Sequence, residues 1–511
     1  MMKILSASPI IVALLATPAL AMAADATPAP SGVPRLGLDP GEPQVRSATP
    51  ALPFGVQPAM SKEYVLDFHG YFLLPARLGV HKREPDQLAQ GSTVLHSPPL
   101  IPQDLRSFEY TGALPSPWIQ LNFIYGNSTI SATAVLAGTS ASDAAGFYNP
   151  VEQFGVNDAF LTLNLTRKIG FPLQVHVGAY TGRYGAMGAY DAGRYGTPLI
   201  ARTNTIGETI TAAYRFGDFV LMAEEGLGGQ IGRPPAGLVP AGWNDFADDK
   251  VGATFANHAH LGIAYGRLGR LGFHYLTAWT ADDLARGGTI PDGRITVLGA
   301  DLSITAGNAG HLYLGAAKTW ATNAEPVSGA IEVLNARGGK ELINNYLGPA
   351  SNGTGTLSTV GAQYDLSLSR LVFGPMYTGV SPDVLVSLFG VATKVTSRDT
   401  SYDPVLKLKY DGVLKVKGGA EVTYAFMSWA GVSERVDHVR LDNSDSARAF
   451  TMFSTRLLFH TGWRSRDEIA LQYTHFTYGS AVYVKAGYPP VERYDLNADR
   501  DVFSLTGTFW W

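Results

Sequence analysis

The sequence predicts an all-β protein, a transmembrane antiparallel β-barrel of about eighteen strands within a range of sixteen to twenty. Three observations predict it. Segments that alternate apolar and polar residues run from Tyr64 to the C-terminal Trp511. Short turns and long loops take turns between those segments, and an export signal opens a chain in which no later stretch is long enough for a spanning helix. An exported chain without such a helix is either soluble beyond the inner membrane or a barrel in the outer one, because only helices and closed barrels satisfy their backbone in lipid. A soluble sheet protein has no reason to keep strict short-long alternation, which the barrel requires.

The elements follow in chain order. Residues 1–23, MMKILSASPIIVALLATPALAMA, combine Lys3, an apolar run and Ala21-Met22-Ala23 as a cleavage site, which reads as a signal peptide. Residues 24–62 carry eight prolines (28, 30, 34, 40, 43, 50, 53 and 58) and no period, as expected of an extended, largely disordered periplasmic leader. Residues 63–511 form the barrel. The expected strands are 64–80, 117–126, 129–138, 156–168, 173–183, 204–216, 219–226, 253–265, 271–280, 294–305, 311–320, 355–368, 383–395, 404–411, 420–431, 449–460, 468–479 and 500–511. The segments 369–382 and 412–419 are the places where strands could be hidden or lost.

Faces are readable within single strands. Ala159, Leu161, Leu163 and Leu165 lie on one side of their segment, with Phe160, Thr162 and Asn164 opposite. In the next segment Leu173, Val175, Val177 and Ala179 oppose Gln174, His176, Gly178 and Tyr180. One face suits lipid and the other water. In the last strand, DVFSLTGTFWW, Phe503, Leu505, Gly507, Phe509 and Trp511 take the lipid side, and Val502, Ser504, Thr506, Thr508 and Trp510 the lumen. Phe509 and Trp511 are then the assembly and anchoring signal at the terminus.

Composition closes off other classes. The chain has no cysteine, so disulfides, thiolate metal sites and cysteine nucleophiles are excluded. A net charge of −4 on 511 residues gives a nucleic-acid partner no electrostatic support. The 57 Gly, 24 Tyr and 23 Phe suit strands that alternate between lipid and water. No G-x-S-x-G, H-E-x-x-H or phosphate-binding loop occurs, so no enzyme activity and no cofactor is expected.

Two terminal motifs carry a family resemblance. Asp67-Phe68-His69-Gly70-Tyr71 resembles the opening strand of maltoporin-type sugar porins, and the closing Phe509-Trp510-Trp511 is similar to that family's ending. The resemblance implies an eighteen-stranded trimeric porin in which a row of lumenal aromatics guides sugar rings and an ionic track binds their hydroxyls. The family's opening-strand Tyr and penultimate Trp would map onto Tyr71 and Trp510, both lumenal by parity. The family's opening-strand Arg is replaced by Leu73, although Arg77 has the same parity, and the first-loop disulfide of some members is impossible here.

Further candidates come from parity and loop chemistry. Trp118, with Gln120 on its face, extends the aromatic track; Tyr184 and Trp429 are additional candidates, with an interfacial girdle as the other reading of Trp118 and Trp429. The third long loop reads GRYGAMGAYDAGRYGTP and is expected to fold inward. There Arg183, Arg194, Asp191, Tyr184, Tyr190 and Tyr195 supply planar donors, an acceptor and stacking faces, with Asp67 and Arg77 continuing a mixed-charge track. His258 and His260 share a face and read as lumenal histidines rather than metal ligands. Asp495, Asn497, Asp499 and Asp501 have calcium-like spacing, but Arg500 stands where a calcium loop needs Gly, so no metal is expected.

The expected function is a channel for small hydrophilic solutes, carbohydrates first, in the outer membrane of a Gram-negative bacterium. The expected partners are outer-membrane lipid, the barrel assembly machinery and two further copies in a homotrimer. The alternatives are a general diffusion porin, a structural or adhesive barrel sealed by the long loops 81–116 and 321–354, and a barrel hydrolase.

Overall fold

The computed structural model describes residues 63–80, 118–139, 153–170, 172–185, 199–231, 253–266, 268–280, 293–307, 309–322, 327, 331–333, 354–373, 383–398, 412–440, 443–444, 449–460, 466–478, 482–484, 493–495 and 500–510. The signal and leader at 1–62, most of the long loops, the expected strand at 404–411, and Trp511 therefore lie outside the described residues.

The strands are β1 (Val65–Val80), β2 (Trp118–Gly126), β3 (Ile130–Thr139), β4 (Gln153–Asn164), β5 (Leu173–Gly185), β6 (Leu199–Phe216) and β7 (Phe219–Ile231). They continue with β8 (Ala253–Tyr265), β9 (Gly269–Thr280), β10 (Arg294–Ala306), β11 (Gly310–Thr322), β12 (Ile331–Val333), β13 (Thr354–Ser367) and β14 (Asp383–Arg398). The last are β15 (Val413–Ala425), β16 (Ala430–Arg440), β17 (Ala449–Phe459), β18 (Arg466–Tyr478), the short pair β19 (Val482–Val484) and β20 (Arg493–Asp495), and β21 (Arg500–Trp510). Two single-turn helices, α1 (Thr166–Ile169) and α2 (Leu368–Phe373), occupy turns.

Nineteen strands form one sheet, and one of them, β12, pairs only with β6. The other eighteen form a ring in which each pairs antiparallel with its two neighbours, and β1 closes it by pairing with both β2 and β21. No strand of the ring is left with a free edge along its whole length, which is what lipid demands.

The outer face is apolar. Leu161, Val177, Phe503 and Leu505 are exposed, whereas Phe160, Thr162, His176 and Tyr180 on the alternate positions are buried inside, as period two predicts. Aromatics band the short-turn end: Tyr64 stacks on Tyr125, Phe216 on Phe219, and Phe219 meets Tyr265 at 4.6 Å between ring centroids. Near the other end Phe255 packs on Trp279, and Trp320, two strands further on, is exposed. An apolar band between two aromatic girdles is the surface of an outer-membrane β-barrel, and that is the location of this protein.

Two corrections concern the strand list. Ala430–Arg440 forms β16, which the sequence reading missed because Glu434, His438 and Arg440 put polar residues on its outer face. The segment 412–419 is no gap, since it belongs to β15, and part of 369–382 is the helix α2.

The ring has one departure from a plain wall. β4 pairs with β5 only as far as Ala159↔Ala179, and β7 pairs with β6 only from Ile206 downward, yet β5 and β6 stay paired to Gly185↔Leu199. The upper part of this hairpin has therefore left both neighbours. Gly178, at φ +139°, sits where the separation begins, and a Cβ there would lie 2.3 Å from the Ala159 carbonyl oxygen. Glycine is the residue that permits that bend.

Candidate functional site

The detached hairpin lies inside the barrel against β9, β10 and β13. Ile200 reaches β10, where the Cβ that Gly299 lacks would stand 2.8 Å from two Ile200 methyl carbons. The Arg270 guanidinium, on β9, donates to the Gly185 carbonyl at 3.3 Å. β12, which belongs to the loop after β11, pairs with the free side of β6 through Ile331↔Thr203 and Val333↔Ala201. Two inserted segments thus meet inside the wall.

They share an apolar core with the wall itself. Tyr184, Ile200, Val327 and Ile331 from the insertions pack with Leu276, Ile295, Val297 and Leu357 from β9, β10 and β13. Burying these side chains fixes the hairpin against one side of the lumen, since each fully buried aliphatic chain contributes about 1.5–3 kcal/mol. Below this core lies a polar layer. Tyr184 contacts the rings of His258 and His274 at 5.5 and 5.8 Å, and His260 stacks on His274 at 4.4 Å. His274 is hydrogen-bonded to Asp301, which also faces Arg270 at 4.0 Å. Thr209 bonds both Tyr180 and His258, and Glu224 accepts from Thr211 and Tyr184. The histidines are therefore lumenal and engaged, in agreement with their parity; no metal-holding group occurs among the described residues.

Further round the wall, β15 to β17 carry a ladder of inward, largely buried charges that sequence reasoning missed. Lys415, Lys417 and Glu421 on β15, Arg435 and Asp437 on β16, and Arg456 on β17 all take inward positions. Arg435 and Asp437, two apart and so on one face, form a bidentate pair at 2.6 and 2.8 Å, with Lys417 at 4.0 Å from the same carboxylate. Arg456 binds Glu421, which accepts from Ser433 at 2.5 Å, and the Arg435 guanidinium lies 5.0 Å from the Phe389 ring centre. Gln472, Ser454 and Thr474 continue the inward polar network. The signal was in the text: K-V-K at 415–417 and S-x-R-x-D at 433–437 both have period two.

The predicted aromatic positions meet at the ring's closure. Tyr71 stands opposite Gln120 on one side and Trp510 on the other, and Trp510 in turn opposes Arg466, so four positions share one level across β2, β1, β21 and β18. Trp118 lies two residue pairs away, opposite Leu73. Arg77 is opposite Ser504, Arg183 is opposite Arg202, and Asp67 is opposite Ile124 with Leu66 and Phe68 exposed on either side of it. Tyr184 is only 4 % exposed, so its ring serves the inner core and is not open to a passing solute. Trp429 sits in the β15–β16 turn beside exposed Phe426 and Met427, where the girdle reading applies. Phe509 is half-buried in β21. Asp191, Arg194, Tyr190, Tyr195, Asn497 and Asp499 lie outside the described residues. Asp495 closes β20, and Asp501 accepts from Tyr473 at 2.6 Å and His475 at 2.9 Å.

No protein-family model and no curated protein matches the chain. Among solved structures it is similar to the outer membrane channel DcaP of Acinetobacter baumannii, at TM-score 0.39 and 10 % identity over 88 % of this chain and 97 % of that one. It is similar to the anion-selective porin from Comamonas acidovorans at TM-score 0.38 and 8 % identity, over 88 % of this chain and all of that one. OmpT, an outer membrane protein of Vibrio cholerae, aligns at TM-score 0.37 and 10 % identity over 88 % of this chain and 98 % of that one. Likenesses this distant transfer no solute to this chain.

Proposed function

We propose that the protein is a porin, a channel through which small hydrophilic solutes, carbohydrates above all, diffuse across the outer membrane. The observation that carries this reading is the inward hairpin of β5 and β6, which packs inside a ring of eighteen strands and narrows it from one side. A ring of that size encloses an aqueous lumen unless something fills it. For sugar rings, the support is the convergence of Tyr71 and Trp510 on one register pair, with Gln120 and Trp118 beside them. In this reading those aromatics form the greasy platform, and Asp67, Arg77, Arg183, Asp191 and Arg194 form the polar track. The functional unit is a homotrimer. A general diffusion porin without sugar selectivity is the second reading, favoured by the inward charges of β15 to β17, of which Arg456 keeps part of its side chain exposed.

Single-channel conductance of the purified protein in planar bilayers, titrated with maltooligosaccharides, separates the two. Saturable block that weakens in Trp510→Ala and Tyr71→Ala supports the sugar channel. Open channels without block leave the diffusion porin, and barrels with no conductance remove both.

A further inference from the structure

The outer face of the barrel carries charges where lipid should be. Glu208 on β6 and Glu225 on β7 point outward and are exposed, flanked along their strands by exposed Ile206, Ile210 and Leu227. Each lies roughly 15–20 Å along the wall from the aromatics Phe216 and Phe219, so neither is at the short-turn girdle. Among the described residues neither forms an ion pair; Glu225 accepts only a long bond from Asn257, at 3.4 Å. By contrast Glu434, also outward, accepts from Thr455 within the wall at 2.8 Å.

Opposite charges stand further round the same face. Lys318 on β11 and Lys394 on β14 point outward and are exposed, both directly opposite Ser358 of the strand between them. The Lys318 ammonium lies 5.1 Å from the centre of the Trp320 ring. Between the acidic and basic flanks the wall is concave, a hollow of about 1250 Å³ whose outward lining includes Ala212, Ala223, Ala259, Ala300 and Ala316. Small side chains at these positions let another surface come close to the backbone.

We propose that this hollow is a contact surface for a second copy of the chain, the Glu208–Glu225 flank of one barrel meeting the Lys318–Lys394 flank of the next. Within one copy the flanks cannot pair, because β7 and β11 are four strand steps apart, about 19 Å at the usual spacing. Only another copy brings them together. A contact that joins two different flanks is heterologous, and it closes into a ring when repeated by the rotation of the homotrimer proposed above, on which this assignment rests. Carboxylates exposed to hydrocarbon are unfavourable, and a lysine from the neighbouring barrel satisfies them in the place where water does not reach. The assignment is independent of what the lumen passes.

The chain has no cysteine, which gives a direct test on the full-length protein in detergent and in phospholipid vesicles. In the variant Glu225→Cys/Lys318→Cys, oxidation should produce a ladder of disulfide-linked copies, since the two positions on one copy are too far apart to bridge. Glu208→Lys/Glu225→Lys should lower the oligomer fraction at least tenfold, Lys318→Glu/Lys394→Glu should do the same, and the two together should restore it. An oligomer unmoved by both reversals, or no ladder, overturns the proposal. So does an intact oligomer that loses bound lipopolysaccharide when the lysines are reversed, which would make the flank a lipid-phosphate site. If the charge-reversed chains fail to show the folded band on unheated gels, the cysteine pair alone decides.

Discussion

Replacing Tyr184 by alanine tests whether the inserted hairpin sets the width of the channel. The ring is 4 % exposed and joins Ile200, Leu276 and Ile331 in the inner core, with edge contacts to His258 and His274. Truncating a buried aromatic to alanine costs about 3–5 kcal/mol. The loss falls on the hairpin, because the wall strands keep their ladders: β4–β5 pairing ends at Ala179 and β6–β7 pairing begins at Ile206, both outside the detached part. At about 1.4 kcal/mol per tenfold, a loss of 3 kcal/mol shifts the ratio of docked to undocked hairpin by roughly two orders of magnitude. The expected result in planar bilayers is a larger or flickering conductance, with the heat-shifted gel mobility of the folded barrel retained. Wild-type conductance and noise from a folded Tyr184→Ala barrel would refute the reasoning, because the hairpin would then have no part in the constriction.

Three further changes probe neighbouring parts. Asp301→Ala removes the carboxylate contacted by His274 and Arg270; breaking such a buried contact costs about 3–5 kcal/mol, so the thermal unfolding midpoint should fall, and an unchanged midpoint would deny the cluster a structural role. Arg435→Ala leaves Asp437 facing Lys417 alone and makes the lumen one unit more negative, so the reversal potential under a KCl gradient should move toward cation selectivity, and no movement would place the ladder off the ion path. Gly299→Val puts a side chain where the Ile200 methyls already stand, an overpacking of about 1–3 kcal/mol, and should mimic Tyr184→Ala in conductance; a silent Gly299→Val would mean that Ile200 does not dock there.

The wall and an inward third loop were legible, but the paired hairpin that makes the insertion was not, for one physical reason. Period two reports which faces differ, and it reported correctly that Leu161 and Val177 face out while Thr162 and His176 face in. It does not report which strand lies alongside. Residues 199–205 alternate like any wall strand, but their partners are β5 and β12 and not β7, a choice made by the core around Tyr184 and Ile331. The same limit explains β16: with Glu434, His438 and Arg440 outward and Arg435 and Asp437 inward, both faces look polar and the alternation disappears. At the seam, sequence reasoning placed Tyr71 and Trp510 in neighbouring strands because a closed ring requires it, and the register pairs them directly.

The use of strands, and not a loose loop, to narrow the lumen follows from the backbone. A segment pressed against the inner wall loses water, and each unpaired amide or carbonyl there is unfavourable. Extending β5 and β6 beyond their neighbours keeps one edge of each paired with the other, and β12 takes the open edge of β6 at Ala201 to Thr203. The remaining edge is that of β5, whose neighbour β4 has dropped away after Ala179, and it is here that Arg270 reaches the Gly185 carbonyl while also facing Asp301. The Arg270 guanidinium therefore ties the end of β5 to the lumenal wall. Arg270→Lys keeps the charge but not the fork that serves two acceptors, so it should loosen that end with the rest of the core in place. If Arg270→Lys gave the same conductance as wild type while Tyr184→Ala did not, the apolar core and not the tether would be what holds the constriction.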